Sequence, residues 1–131
     1  MNNGYITDIP EYITEKALNE TAVKMITPGT VLIAMYGATI DKVGITTTCK
    51  ATTNQACCNP YGILPEYLFY YLQSQKENFI NMAEDRTQPN ISKEKIVAAL
   101  IPVPPYEQQT RIINIIKTFN KYIESIEKSL N

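Results

Sequence analysis

The sequence contains no histidine, only three cysteines and no apolar run approaching membrane-spanning length. Each shortage excludes something. Without histidine there is no Ser–His or Cys–His route to an activated nucleophile, and the usual mixed zinc sites are gone. Cys49, Cys57 and Cys58 cannot complete a four-thiolate cage, and an odd count argues against a disulfide framework. The adjacent Cys57 and Cys58 read as small buried hydrophobes. A cysteine enzyme built on either one is a weak rival, testable by thiol labelling. The longest apolar stretch runs only from Val31 to Tyr36, against the ~20 residues a spanning helix needs. No basic segment followed by an apolar one opens the chain, so no signal peptide is expected and the expected location is cytoplasmic. No metal, no cofactor and no membrane association are expected.

Charge of one sign is also lacking. Twelve basic residues against thirteen acidic ones leave a net charge of −1, less basic than a typical isolated DNA-binding domain. Any nucleic-acid contact has to come from local placement of charge or from partners. The acids form no paired pattern suited to acid–base work, and Gly37 and Gly44 around Lys42 make no phosphate loop. The expected chain is not an enzyme. With 131 residues, 44% hydrophobic and 19% charged, it is long enough for one globular domain with one real core.

What is present falls into two parts. The first is β-rich. Thr14 is placed to cap a short helix over 15–20, and Pro28-Gly29 reads as a turn. An apolar, β-branched strand over 30–36 is expected to be buried on both faces. Further strands are expected over 43–48 and, as one element, over 52–58, with a turn at 59–62. The period then changes. Pro65 suits the first turn of a helix. Tyr67, Leu68, Tyr71, Leu72, Phe79, Ile80 and Ala83 share one helical face, which predicts a single helix over 65–84. Ser92 caps another, running to residue 100. Pro102, Pro104 and Pro105 make a rigid, extended approach to the last segment.

That last segment carries the clearest pattern. Ile112, Ile116, Phe119, Ile123, Ile126 and Leu130 are spaced 4, 3, 4, 3 and 4 residues apart, an a/d seam with a 3.5-residue repeat. A helix of about 25 residues, roughly 37 Å long, exceeds what a domain of this size needs, and the narrow stripe favours a partner helix. The plainer alternative is an amphipathic helix packed on its own domain. Ile113 and Ile115 lie off the stripe and are expected to face the domain.

Two polar clusters are candidates for recognition. Asn54 and Gln55 can each make bidentate contacts with adenine in the major groove, or simply fix a strand end. Arg86, Thr87, Gln88, Asn90 and Lys93 concentrate donors between two helices and can meet phosphates, or form a capped loop. Lys42, on its own loop, is a further candidate for phosphate.

Four segments in fixed order carry a resemblance: PGTVLIAMYGATI at 28–40, ATTNQA at 51–56, TQPNIS at 87–92 and IPVPPYEQQTRI at 101–112. Together they resemble the specificity subunits of type I restriction-modification systems, over nearly the whole chain. The resemblance implies an α+β fold: a compact mixed β-sheet and helix target recognition domain over 1–105, followed by a long coiled-coil-type dimerisation and spacer helix over 106–131. It implies a non-catalytic role in which double-stranded DNA is read at a half-site. The long helix would pair with a second copy or a second recognition unit, as a homodimer or within a larger subunit. Methyltransferase subunits, and a motor-nuclease subunit for cleavage, are the implied partners. Two departures stand out. Family members usually have more sequence before the part matching 5–13, so the domain here is expected to lack its N-terminal part. Asp41 and Asp85 stand where the family commonly has glycine. The alternative is a truncated protein-interaction module that binds partner subunits without reading DNA.

Overall fold

The computed structural model describes residues 4–35, 42–47, 51–53, 56–83 and 90–131. Among them the element order is β1 (Tyr5–Ile6), α1 (Glu15–Glu20), β2 (Lys24–Ile26), β3 (Val31–Ile33), β4 (Val43–Thr46), β5 (Ala51–Thr53), β6 (Ala56–Cys58), α2 (Pro65–Ser74), α3 (Lys76–Met82), α4 (Lys93–Val97) and α5 (Tyr106–Leu130). This is an α+β fold. A four-stranded sheet runs in the order β1-β4-β3-β6, and β2 pairs with β5 in a separate ribbon.

Most local expectations hold. The Thr14 hydroxyl caps α1 by accepting the Ala17 N–H at 3.1 Å. Gly29 takes φ +81° in the expected turn, a conformation that favours glycine. In β3, Val31 and Ile33 are buried and Leu32 is half-buried, while all of β4 is buried. Both strands lie between neighbours, with β3 antiparallel to β4 and to β6. The β1–β4 pair is parallel. Gly4, just before β1, sits so close to the Phe69 ring that an added Cβ would lie 2.2 Å from it.

Three expectations fail in instructive ways. The strand expected over 52–58 is two strands. β5 pairs with β2, whereas β6 pairs with β3 in the main sheet. One β-prone run serves two partners, which local propensity does not reveal. The helix expected over 65–84 is also two. It breaks at Gln75 (φ −91°, ψ 4°). The Gln75 side-chain oxygen accepts from Asn78 Nδ2 at 2.7 Å, and the new direction drives Phe79 into the core at 1% exposure. The Ser92-capped helix likewise ends early, at Val97.

The core lies between the sheet and the α2–α4 layer: Val31, Ile33, Val43 and Ile45 from the strands, with Leu68, Phe69, Leu72, Phe79, Ile91 and Ile96 from above. The chain then runs back along α2. Tyr71 donates its hydroxyl to the Leu100 carbonyl at 2.5 Å and Tyr67 donates to Pro102 at 2.9 Å. These two tyrosines hold the proline-rich approach against the helix before α5 begins.

Candidate nucleic-acid interface and helix-pairing surface

Strand register decides where the candidate loops emerge. Ile33 stands opposite Val43 in β4 and opposite Ala56 in β6. The chain following β3, the chain preceding β4 and the chain preceding β6 therefore all leave the sheet at one end. The Ala34 N–H donates to the Lys42 carbonyl at 2.9 Å, and the Ile91 N–H donates to the Met35 carbonyl at 3.0 Å. The second bond brings the segment around Asn90 to that same end.

Lys42, Asn90 and Lys93 are all exposed. Lys42 immediately precedes β4, Asn90 lies beside the end of β3, and Lys93 opens α4. Ser92 caps that short helix by accepting the Lys95 N–H at 3.4 Å. Asn54, Gln55, Arg86, Thr87 and Gln88 lie outside the described residues. Their described neighbours Ala56 and Asn90 are at the same end of the sheet as Lys42. Lys42, Ala56 and Asn90, far apart in sequence, thus meet at one end of the sheet.

The opposite end is a hydrogen-bonded platform. The buried Thr30 hydroxyl bonds the Thr27 carbonyl and the Asn59 side-chain amide at 2.6 and 2.8 Å. The buried Thr46 hydroxyl donates to the Thr27 carbonyl at 2.9 Å. A Cβ added to Gly29 would lie 3.7 Å from Pro65, so α2 starts at this end.

Here α5 is fastened, through a residue that the hydrophobic pattern does not mark. Gln109 is completely buried. Its amide oxygen accepts the Leu64 N–H at 2.8 Å. Its nitrogen donates to Pro104 at 2.8 Å and to Gly62 at 3.4 Å. One turn further on, Ile113 is buried, and after another turn Lys117 forms an ion pair with Glu66 of α2. The spacing of Gln109, Ile113 and Lys117, four residues each, was the available signal. Their mixed chemistry hid it.

Burial alone would push the Glu66 carboxyl up, but hydrogen bonding from Lys117 and Tyr5, with the Lys117 charge, outweighs it and holds the carboxyl below its ordinary value of 4.5. Burial first, then the adjoining Glu66 carboxylate, pushes the Tyr5 phenol up to about 12. Around Lys117 the helix and the domain part, leaving a cleft of about 250 Å³ between α5 and the Tyr5–Ile45 edge of the sheet.

The expected seam borders this attachment at its start and then runs beyond the domain. Ile112 lies at its margin and Ile116 is half-buried. Phe119, Ile123, Ile126 and Leu130 are 63, 52, 59 and 80% exposed. Of the two isoleucines expected to face the domain, Ile113 does. Ile115 does not: it is 56% exposed, because two residues along a helix turn the side chain by about 200°.

Among the described residues no helix is long and apolar enough to cross a membrane. No group of histidine, cysteine and acidic side chains there could hold a metal ion.

Comparison with known proteins gives a consistent result. The family model for the type I restriction modification DNA specificity domain matches residues 1–131. The chain is similar to the specificity subunit of the type I restriction enzyme EcoR124I/EcoR124II from Escherichia coli, 27% identical over 137 residues, covering 99% of this chain and 34% of that protein. It is also similar to the specificity subunit of the type I restriction enzyme MjaIX from Methanocaldococcus jannaschii, 30% identical over 129 residues, covering 95% of this chain and 29% of that one. The chain therefore spans about a third of the length of the curated relatives it matches. A solved structure concerned with complex assembly and conformational transition of the type I R-M system contains a chain of the same fold. It aligns with a TM-score of 0.63 at 20% identity, covering 83% of this chain and 27% of that one.

Proposed function

Because the chain belongs to the type I restriction modification DNA specificity domain family, we propose that it reads one half-site on double-stranded DNA and supplies no catalytic group of its own. Residues 1–105 act as the recognition unit and 106–131 as the spacer and pairing helix. The observation that carries this reading is the polarity of the sheet. Lys42, Ala56 and Asn90, each in or beside a candidate loop, lie at one end, and the long helix is fastened at the other. Such a molecule presents its donors to one partner while its helix engages another.

In this reading Lys42, Arg86 and Lys93 meet phosphates and set orientation, while Asn54, Gln55, Thr87, Gln88 and Asn90 are available to base edges. Ile112, Ile116, Phe119, Ile123, Ile126 and Leu130 pair with the same helix of a second copy, or of a second recognition unit. Two half-sites are then read at a set separation. Methyltransferase subunits, and a motor-nuclease subunit for cleavage, dock on the assembly.

The test is filter binding of the assembled complex with methyltransferase to a random-sequence duplex over a range of salt. Replacing Arg86 and Lys93 by Ala is expected to weaken binding across all sequences. It should also flatten the log–log salt slope by about one for each phosphate contact removed. Unchanged affinity and slope would take that loop out of the interface.

A second reading is favoured by the net charge of −1. The chain would be a protein-interaction module that binds partner subunits without touching DNA. Titration against the methyltransferase subunit alone and against random duplex alone separates the two. Binding to protein but not to DNA, with no gain in DNA affinity on assembly, favours the second.

A further inference from the structure

The geometry points to Gln109 as the positioning residue that sets the angle at which α5 leaves the domain, and hence where the second half-site must lie; this rests on the pairing and reading roles proposed above. A buried primary amide is costly unless its donors and acceptor are matched. Gln109 is at 0% exposure, and its side chain bonds backbone groups: the Leu64 N–H and the Gly62 and Pro104 carbonyls. Those groups belong to two different segments, the turn entering α2 and the proline approach to α5. The side chain therefore ties the base of the rod to the body of the domain.

A rod held at one point swivels; held at two, it has a direction. The second tie is the Lys117–Glu66 pair, eight residues on, with buried Ile113 between. That pair is part-exposed and correspondingly weak, so the restraint falls mainly on buried Gln109 and Ile113. The lever is long. From Ile113 to Leu130 the helix extends roughly 25 Å at 1.5 Å per residue, so a 10° swing moves its tip by about 4 Å. This exceeds the ~3.4 Å between successive base pairs. A small loss of angular control at Gln109 is a whole base-pair step at the far end.

The test uses the full chain carrying nitroxides at positions 73 and 128, both exposed, attached through a ketone-bearing residue and diluted with unlabelled chain. Pulsed electron resonance reads the distance distribution between α2 and the tip of α5. Wild type is expected to give one narrow distance at about pH 5 and at about pH 8. Gln109→Leu fills the same space without polar groups and is expected to broaden the distribution at least twofold.

Gln109→Glu supplies a rescue that mere packing would not show. Burial raises its carboxyl pKa. The protonated acid accepts from Leu64 and donates to Pro104, whereas the carboxylate cannot donate. Its distribution is expected to be narrow at about pH 5 and broad at about pH 8. A wild-type-like narrow distance for a folded Gln109→Leu, or no pH response in Gln109→Glu, overturns the assignment. Sedimentation of the same samples judges pairing separately: a monomeric wild type with a narrow distance defeats the dimer and leaves the joint intact.

Discussion

The two halves of α5 share one helix and similar composition but have opposite surroundings. In the first three turns Gln109 and Ile113 are buried and Lys117 is paired with Glu66. In the second half Phe119, Tyr122, Ile123, Ile126 and Leu130 are all more than half exposed. The near half is part of the domain's own structure and its sequence is chemically mixed. The far half keeps a strict apolar stripe that no described residue of its own domain covers. Contact with the domain tolerates one glutamine and one lysine because the domain supplies matched polar partners. A helix–helix seam supplies few, so its positions stay apolar. An exposed run of large apolar side chains on one face marks an interaction surface.

The largest break in this comparison is expected at Ile113. Ile113→Ala should cost about 2–5 kcal/mol of unfolding free energy in urea, as for other truncations in a packed interior. Ile115→Ala, two residues away but exposed, should change stability by less than about 0.5 kcal/mol. Equal losses would erase the distinction between the faces.

Phe119→Ala is expected to do the converse. At a dilution that keeps the chain monomeric, domain stability should stay within about 0.5 kcal/mol of wild type. Self-association should weaken roughly thirtyfold, the equivalent of about 2 kcal/mol for an anchor residue. A loss of domain stability instead would mean that the far half folds onto its own body.

The smallest effect concerns Lys117. Glu66 has its carboxyl lowered in the fold, so its contribution is present above 4.5, the ordinary value, and is lost as pH falls through the lower folded value. Lys117→Met should cost well under about 1 kcal/mol at neutral pH, since the pair is only partly screened from water. The deficit should vanish as acid protonates Glu66. A deficit that persists in acid would show that the lysine acts through packing of its stem.

Features governed by a single period or a local cap were legible in the sequence. The apolar strand at Val31–Ile33, the Thr14 cap and the a/d stripe from Ile112 to Leu130 all follow from nearest neighbours along the chain. Features that depend on which distant segment arrives were not legible. The run 52–58 divides because β2 and β3 each take half of it. The helix from Pro65 breaks at Gln75, where Phe79 enters the core. Gln109, read along the chain, is one of two adjacent glutamines in a polar first turn. Only the arrival of Gly62 and Leu64 makes it the most deeply buried residue of α5. Of the candidate DNA contacts, sequence supplied the residue types, and strand register supplied the common end of the sheet for Lys42 and Asn90.

The central claim, that the far half of α5 is a pairing surface, is tested most directly by sedimentation equilibrium of the wild-type chain beside the Ile123→Asp/Ile126→Asp double variant. The account predicts twice the 14.8 kDa chain mass for wild type and the single-chain mass for the variant, because charges buried in an apolar seam are costly. The same mass for both proteins would contradict it.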